Sequence, residues 1–210
     1  MMRNPLRYQI SSYDCGPTSL LNAISYLFPR EEIPAEIIRN IMLYSLDCYG
    51  PGGTPGKAGT SRMAMRFLSN WLDGFGKATP LPLATRYLSG REVRLSQESL
   101  INDALYRGGA VVVRLFYDVE HYVLLTGIRD DKVLMFDPWY LPGNDQQMFE
   151  AKVEVTLSHE GAYNRIVPEA LFNREAKELY ALGPVDTREA VLLFNKQTEK
   201  TAAATIEYFI

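Results

Sequence analysis

Cys15 lies in the stretch Gln9-Ile10-Ser11-Ser12-Tyr13-Asp14-Cys15-Gly16-Pro17-Thr18-Ser19-Leu20-Leu21, whose residue types are suited to nucleophilic catalysis. Pro17 fits an early helical position, where a missing N–H costs nothing, and Gly16 lets the chain turn sharply into the helix. Leu20, Leu21, Ile24, Leu27 and Phe28 then recur with helical spacing. A thiol at the mouth of such a helix faces unpaired backbone N–H groups and the positive end of the helix dipole. Both favour the thiolate, which is the nucleophilic form. Gln9, six residues upstream, carries a side-chain N–H of the kind that steadies an oxyanion. A lone cysteine is more often a small buried hydrophobe, but Asp14, Gly16 and Pro17 describe a polar turn rather than a core position.

A nucleophilic thiol needs a base, and the chain has two histidines. His159, in Leu157-Ser158-His159-Glu160-Gly161, reads as a solvated turn residue. His121 heads the apolar run Tyr122 to Ile128, and Asp137 ends the run Lys132 to Phe136. The two runs flank Arg129-Asp130-Asp131 and read as a hairpin with His121 and Asp137 at its open end. If residues 129 to 131 form a three-residue loop, Ile128 faces Lys132 and Gly127 faces Val133. His121 and Asp137 then share one face as diagonal neighbours. A two-residue loop puts them on opposite faces, because side chains alternate along a strand. The pair therefore requires one odd residue, in the connection or in a bulge near it. By itself His121 would read as a structural histidine. With Cys15, and with Asp137 to fix its tautomer, it completes a Cys–His–Asp constellation.

Taken together, Gln9, Asp14-Cys15-Gly16-Pro17, His121-Tyr122-Val123 and Asp137-Pro138 resemble the papain-like cysteine peptidases of bacteria that trim leader peptides from bacteriocins after a double glycine. The resemblance runs over roughly residues 6 to 140 and includes the intervals from Gln9 to Cys15 and from His121 to Asp137. It implies Cys15 as nucleophile, His121 as general base and then acid, Asp137 as the group that orients His121, and Gln9 as oxyanion donor. It also implies that Asp14, Gly16 and Tyr122 lie along the substrate. Trp139, next to Asp137-Pro138, suits either a substrate wall or simple packing on the rim. In that family the peptidase domain is often joined to a membrane transporter and its ATPase, and this chain carries neither, as a stand-alone form would. The interval from Cys15 to His121 is longer than usual, and about seventy residues follow Asp137. Double-glycine cleavage is therefore not carried over.

The chain has 210 residues, 47% of them hydrophobic, which is enough for a substantial single core. A net charge of −3 argues against nucleic acid or an anionic membrane as the main partner. No run approaches the ~18 apolar residues of a membrane span. Arg3, Asn4, Pro5 and Arg7 interrupt any signal peptide, so a cytoplasmic location is expected. In that setting Cys15 and Cys48 are not expected to form a disulfide. Two cysteines and two histidines so scattered have no zinc-ligand spacing, so neither metal nor cofactor is expected. Gly56-Lys57 is no phosphate loop, because Pro51 and Ala58 occupy positions that such a loop gives to Gly and to Ser or Thr. The glycine-rich stretch 50–59 reads instead as an exposed loop or a flap beside the cleft.

Helices are expected from Cys15, over 34–46, after Thr60 or Ser61, from Ser96 to Gly108, and at 174–179. Strands are expected over 83–88, 110–116, the hairpin, 148–157 and 188–194. The pattern is α+β: a papain-like core over 1–145, with N-terminal helices packed on an antiparallel sheet, and an extension over 146–210 packed on the same domain. The residues suit a thiol-dependent hydrolase acting on a peptide or amide. The same triad could serve an acyltransferase, and the same cleft a silent peptide-binding module. The oligomeric state is not legible.

Overall fold

The computed structural model describes residues 4–141, 145–159 and 161–201. The chain opens with helices α1 (Cys15–Leu27), α2 (Ala35–Ser45) and α3 (Arg62–Ala78), followed by β1 (Leu83–Ser89) and α4 (Leu100–Tyr106). The strands β2 (Ala110–Tyr117), β3 (Val119–Arg129) and β4 (Lys132–Phe136) come next. After them lie α5 (Gln146–Glu150), β5 (Glu154–Val155), β6 (Arg165–Pro168) and β7 (Glu189–Asn195). Among the described residues the strands form one seven-stranded sheet, in the order β1-β7-β2-β3-β4-β6-β5, antiparallel at every pairing.

Local chemistry sets the helix starts. Ser61 accepts from Ala64 N at 3.1 Å and Ser99 from Asn102 N at 3.1 Å, each capping the helix that follows. One face of the sheet packs on α1, α3 and the inner side of α2 through residues such as Leu20, Ile24, Leu68, Leu72, Val112, Leu124 and Val191. The other face packs on α4 and C-terminal segments through Val111, Val113, Val123, Leu125, Val167, Phe172 and Leu182. Burial on both faces explains why β2 and β3 read as continuous apolar runs rather than alternating ones. The expected α+β arrangement, with N-terminal helices on an antiparallel sheet, is the one observed.

The β3–β4 hairpin corrects one detail of the sequence reading. Arg129 pairs with Lys132, Ile128 with Val133 and Gly127 with Leu134, so the loop has two residues, Asp130 and Asp131. Asp130 takes a φ of 57°, which a short polar side chain tolerates. The register shifts between Leu125 and Gly127, and beyond that point Leu125 faces Met135 and Leu124 faces Phe136. A bulge at Thr126 supplies the odd residue, and extending the register places His121 and Asp137 on one face. Tyr26 of α1 donates from its hydroxyl to the Thr126 carbonyl at 3.1 Å, which ties the helix to the bulge.

Two expectations near the C-terminus fail. Residues 148–157 begin in α5 rather than in a strand, because Asp145 accepts from Met148 N at 3.1 Å and caps a helix; only Glu154–Val155 is extended. The helix expected over 174–179 is absent. Arg174 instead donates to the Leu171 and Leu179 carbonyls at 3.0 and 2.9 Å, folding that segment around its own side chain. Residues 202–210 of the expected extension lie outside the described residues.

Strands β5, β6 and β7 come from beyond residue 145, and β7 lies between β1 and β2. Its Ala190, Val191, Leu192 and Leu193 are buried. Removing residues 189–210 takes a strand from inside the sheet and uncovers Val111 and Val112. The shortened chain is expected to lose its cooperative thermal transition by circular dichroism, and a melting curve like that of the full chain would contradict this topology.

Candidate active site

Cys15 is the first residue of α1, and two hydrogen bonds fix how that helix lies along β3. Ser19 Oγ donates to the Tyr122 carbonyl at 3.0 Å, and Tyr26 makes the bond to Thr126. Cys15, one turn before Ser19, is thereby delivered to the end of β3 that bears His121. There it is near enough to His121 to favour the protonated imidazole.

His121 is 6% exposed, and its Nε2 lies 2.7 Å from Asp137 Oδ1. With Nε2 so engaged, Nδ1 is the ring nitrogen left for the sulfur. Burial by itself disfavours the imidazolium. The Asp137 charge and hydrogen bond outweigh it, with a further contribution from Cys15, and the His121 pKa is pushed up to about 10.

Asp137 has no solvent exposure. Its Oδ1 also accepts from Trp139 N at 2.8 Å, and its Oδ2 accepts from the Tyr180 hydroxyl at 2.8 Å. Burial raises its pKa, but the His121 charge and hydrogen bond, the Arg165 charge and the Trp139 N–H together hold it below the usual carboxylate range. Asn164 clamps the backbone on either side, accepting from Asp137 N and donating to Asp137 O, both at 2.8 Å. Arg165, also without exposure, donates to the Asn164 and Trp139 carbonyls at 2.9 and 3.2 Å. Asn164, Arg165 and Tyr180 were missed in the sequence. Asn164-Arg165 stands at the head of a strand only four residues long, and Tyr180 lies in a segment with no period.

The other candidates divide. Tyr122 and Cys15 line one cavity of about 340 Å³, together with Tyr13, Thr60, Arg114 and Glu120. The Tyr122 hydroxyl donates to Glu189 Oε1 at 2.7 Å. Glu189 is a second fully buried carboxylate, whose Oε2 accepts from Tyr87 at 2.7 Å and which sequence inspection did not single out. Gly16 lies against Thr60, whose Oγ1 would be only 2.3 Å from a Cβ at that position. The close approach of Thr60 to the start of α1 therefore requires glycine there. Trp139, with Gln9 and Tyr140, lines a neighbouring hollow of about 280 Å³ that shares Ser12 with the first.

Asp14 is buried, and its two oxygens accept from Ile10 N at 2.9 Å, Ser11 N at 2.6 Å and Ser11 Oγ at 2.5 Å. Its carboxylate shapes the 10–14 loop instead of facing the cleft. Gln9 is joined to the hairpin through its N–H to the Pro138 carbonyl at 2.9 Å, but its side-chain Nε2 donates to the Ser11 carbonyl at 2.6 Å. That donor is thus already engaged. Both cysteines are free, and at Cys48 burial and then the neighbouring Asp47 charge push the thiol up, against nucleophilicity. Among the described residues no helix is long and apolar enough to cross a membrane.

The His121 shift has a consequence for stability. The folded value near 10 exceeds the ~6.5 of an unfolded histidine, so the folded chain keeps a proton that the unfolded chain releases. The stabilisation is complete below pH ~6.5 and is lost as pH rises towards 10. Urea unfolding of wild type and His121→Gln between pH 6 and 10 is expected to converge by on the order of 1 kcal/mol per pH unit. A difference that stays constant with pH would contradict the buried ion pair.

The Peptidase_C39-like family model matches residues 2–168. Among solved structures, the peptidase domain of Streptococcus ComA, described as a bi-functional ABC transporter involved in a quorum-sensing pathway, is 15% identical. The match covers 90% of this chain and 97% of that one, with a TM-score of 0.42. The peptidase domain of Streptococcus mutans ComA is 12% identical, with 90% and 98% covered and a TM-score of 0.38. No curated protein matches the chain. With a family match over most of its length, the chain belongs to the Peptidase_C39-like family of papain-like cysteine peptidases.

Proposed function

We propose that the protein is a cysteine hydrolase that cleaves a peptide or amide bond through Cys15, His121 and Asp137. The observation that carries this reading is the buried His121–Asp137 pair, 2.7 Å apart, whose protonated form Cys15 also favours. A protonated His121 favours a thiolate on the sulfur it faces. The thiolate attacks the acyl carbon, and a tetrahedral oxyanion forms. His121 then gives its proton to the departing amine, leaving a thioester on Cys15. A water molecule, deprotonated by His121, attacks that thioester and releases the acid. Asp137 keeps the imidazole oriented throughout and takes up no proton.

The backbone N–H of Cys15, at the start of α1, supports a role as oxyanion donor. Gln9 is proposed as the second donor, which requires its amide to leave the Ser11 carbonyl when substrate arrives. Tyr122, which lines the cavity with Cys15, and Trp139, in the neighbouring hollow, suit the walls of a peptide-binding groove, and Gly16 leaves room there for Thr60. Asp14 serves that groove through the loop it braces. A reducing, cytoplasmic setting suits a free thiol nucleophile.

Iodoacetamide reacts with thiolates, so labelling followed by mass spectrometry across pH 4 to 9 reads the pair directly. Wild-type Cys15 is expected to label quickly on the acid side of neutrality, and His121→Ala to slow it by roughly 10²-fold. Hydrolysis of a peptide library is expected to vanish in Cys15→Ala. Product formed only on addition of an amine or thiol acceptor would replace the hydrolase with an acyltransferase. Equal, slow labelling of Cys15 and Cys48 in wild type would contradict an enzymatic site.

A further inference from the structure

The triad carboxylate has two oxygens, and the proposed chemistry uses one of them. Oδ1 faces His121, while Oδ2 receives a 2.8 Å hydrogen bond from the Tyr180 hydroxyl. Tyr180 has no solvent exposure. It lies beyond residue 168, where the family match ends. Its backbone is held at a φ of 56°, a conformation that costs a bulky residue free energy and needs strong support. The support is present. Tyr180 N donates to the Phe116 carbonyl at 2.7 Å, Phe116 N donates to Ala181 O at 2.9 Å, and Leu182 N donates to Phe172 O at 2.7 Å. The segment is therefore laced to the end of β2, next to the strand that carries His121. The Tyr180 ring lies 6.1 Å from that of Tyr117, which in turn lies 6.0 Å from the imidazole.

Left with His121 alone, a carboxylate can turn about its Cβ–Cγ bond and present either oxygen. Trp139 N on Oδ1 and the Tyr180 hydroxyl on Oδ2 fix its plane from both sides. We infer that Tyr180 is a positioning residue of the triad: its hydroxyl anchors Asp137 Oδ2 so that Oδ1 faces His121 Nε2, and the segment after residue 168 thereby completes the site. This rests on the Cys15–His121–Asp137 reading above. Tyr180 exchanges no proton with substrate. Burial and the Asp137 charge push its phenol well above the ordinary value, so it stays a donor across the working range. Arg165 adds a positive charge that favours the ionised carboxylate.

Glu189 provides an internal comparison. It is also fully buried and also takes a tyrosine hydroxyl at 2.7 Å, from Tyr87, but no histidine is bonded to it. A tyrosine–carboxylate bond used only for packing would behave at Asp137 as it does there.

The test is the rate of Cys15 alkylation by iodoacetamide between pH 3 and 9 for wild type, Tyr180→Phe, Tyr87→Phe and His121→Ala, with thermal melting of each. Tyr180→Phe keeps the ring and removes one donor to a charged acceptor. Protonation of Asp137 then begins at higher pH and deprives His121 of its partner. The acid limb of the profile is expected to move up by about one pH unit, a roughly tenfold slower reaction on that limb, with rates converging at higher pH. Tyr87→Phe is expected to lower the melting temperature without moving the limb. If Tyr180→Phe superimposes on wild type, or is slowed equally at every pH, the inference is overturned while the triad stands. If wild type has no acid limb, or His121→Ala leaves it in place, the triad reading fails and the inference with it.

Discussion

A carboxylate without access to water must find its whole solvation within the protein, and Asp137 is such a group. Removing an ion from water costs several kcal/mol, which only close charges and well-aligned donors offset. The partners of Asp137 come from four places in the chain: His121 on β3, the Trp139 N–H just past β4, Arg165 at the head of β6, and the Tyr180 hydroxyl in the segment before β7. Each is held in turn by strand pairing or by backbone hydrogen bonds. Because the carboxylate is buried and satisfied in this way, His121 carries its proton, and the imidazolium beside Cys15 follows from the arrangement.

Helix and sheet are brought into register by few contacts. Ser19 and Tyr26, two turns apart on α1, bond to the Tyr122 and Thr126 carbonyls of β3. The second contact falls on the bulge that also turns His121 to the face of Asp137. One irregularity therefore serves two purposes: it corrects the parity of the hairpin and offers a carbonyl to the helix that carries the sulfur. Glu189, the other fully buried carboxylate described above, holds Tyr122 and Tyr87 by their hydroxyls and lies 3.4 Å from Arg114 Nε.

Much of this was legible in the sequence, and the reasons differ by residue. Cys15 was marked by Asp14, Gly16 and Pro17, and Asp137 by its place at the end of an apolar run. The need for an odd residue between His121 and Asp137 followed from strand parity alone. That it would be a bulge at Thr126 and not a third loop residue did not, because parity counts residues without locating the extra one. The bracing role of Asp14 left no trace in the sequence, because its acceptor oxygens take up N–H groups of its own loop and that loop has no period. Residues 148–157 alternate like a strand, but the cap offered by Asp145 prevails at their start. Tyr180 was the hardest to foresee: its role depends on a left-handed backbone and on a contact 43 residues away from Asp137, and neither leaves a periodic trace.

The most direct check on the central claim is a proton and nitrogen NMR titration of the His121 ring in the intact protein. A buried imidazolium held between Asp137 and Cys15 predicts that both ring nitrogens remain protonated through pH 8 to 9, with a strongly downfield Nε2 proton on the bond to Asp137. A ring that becomes neutral near the ordinary histidine value of ~6.5 would contradict it.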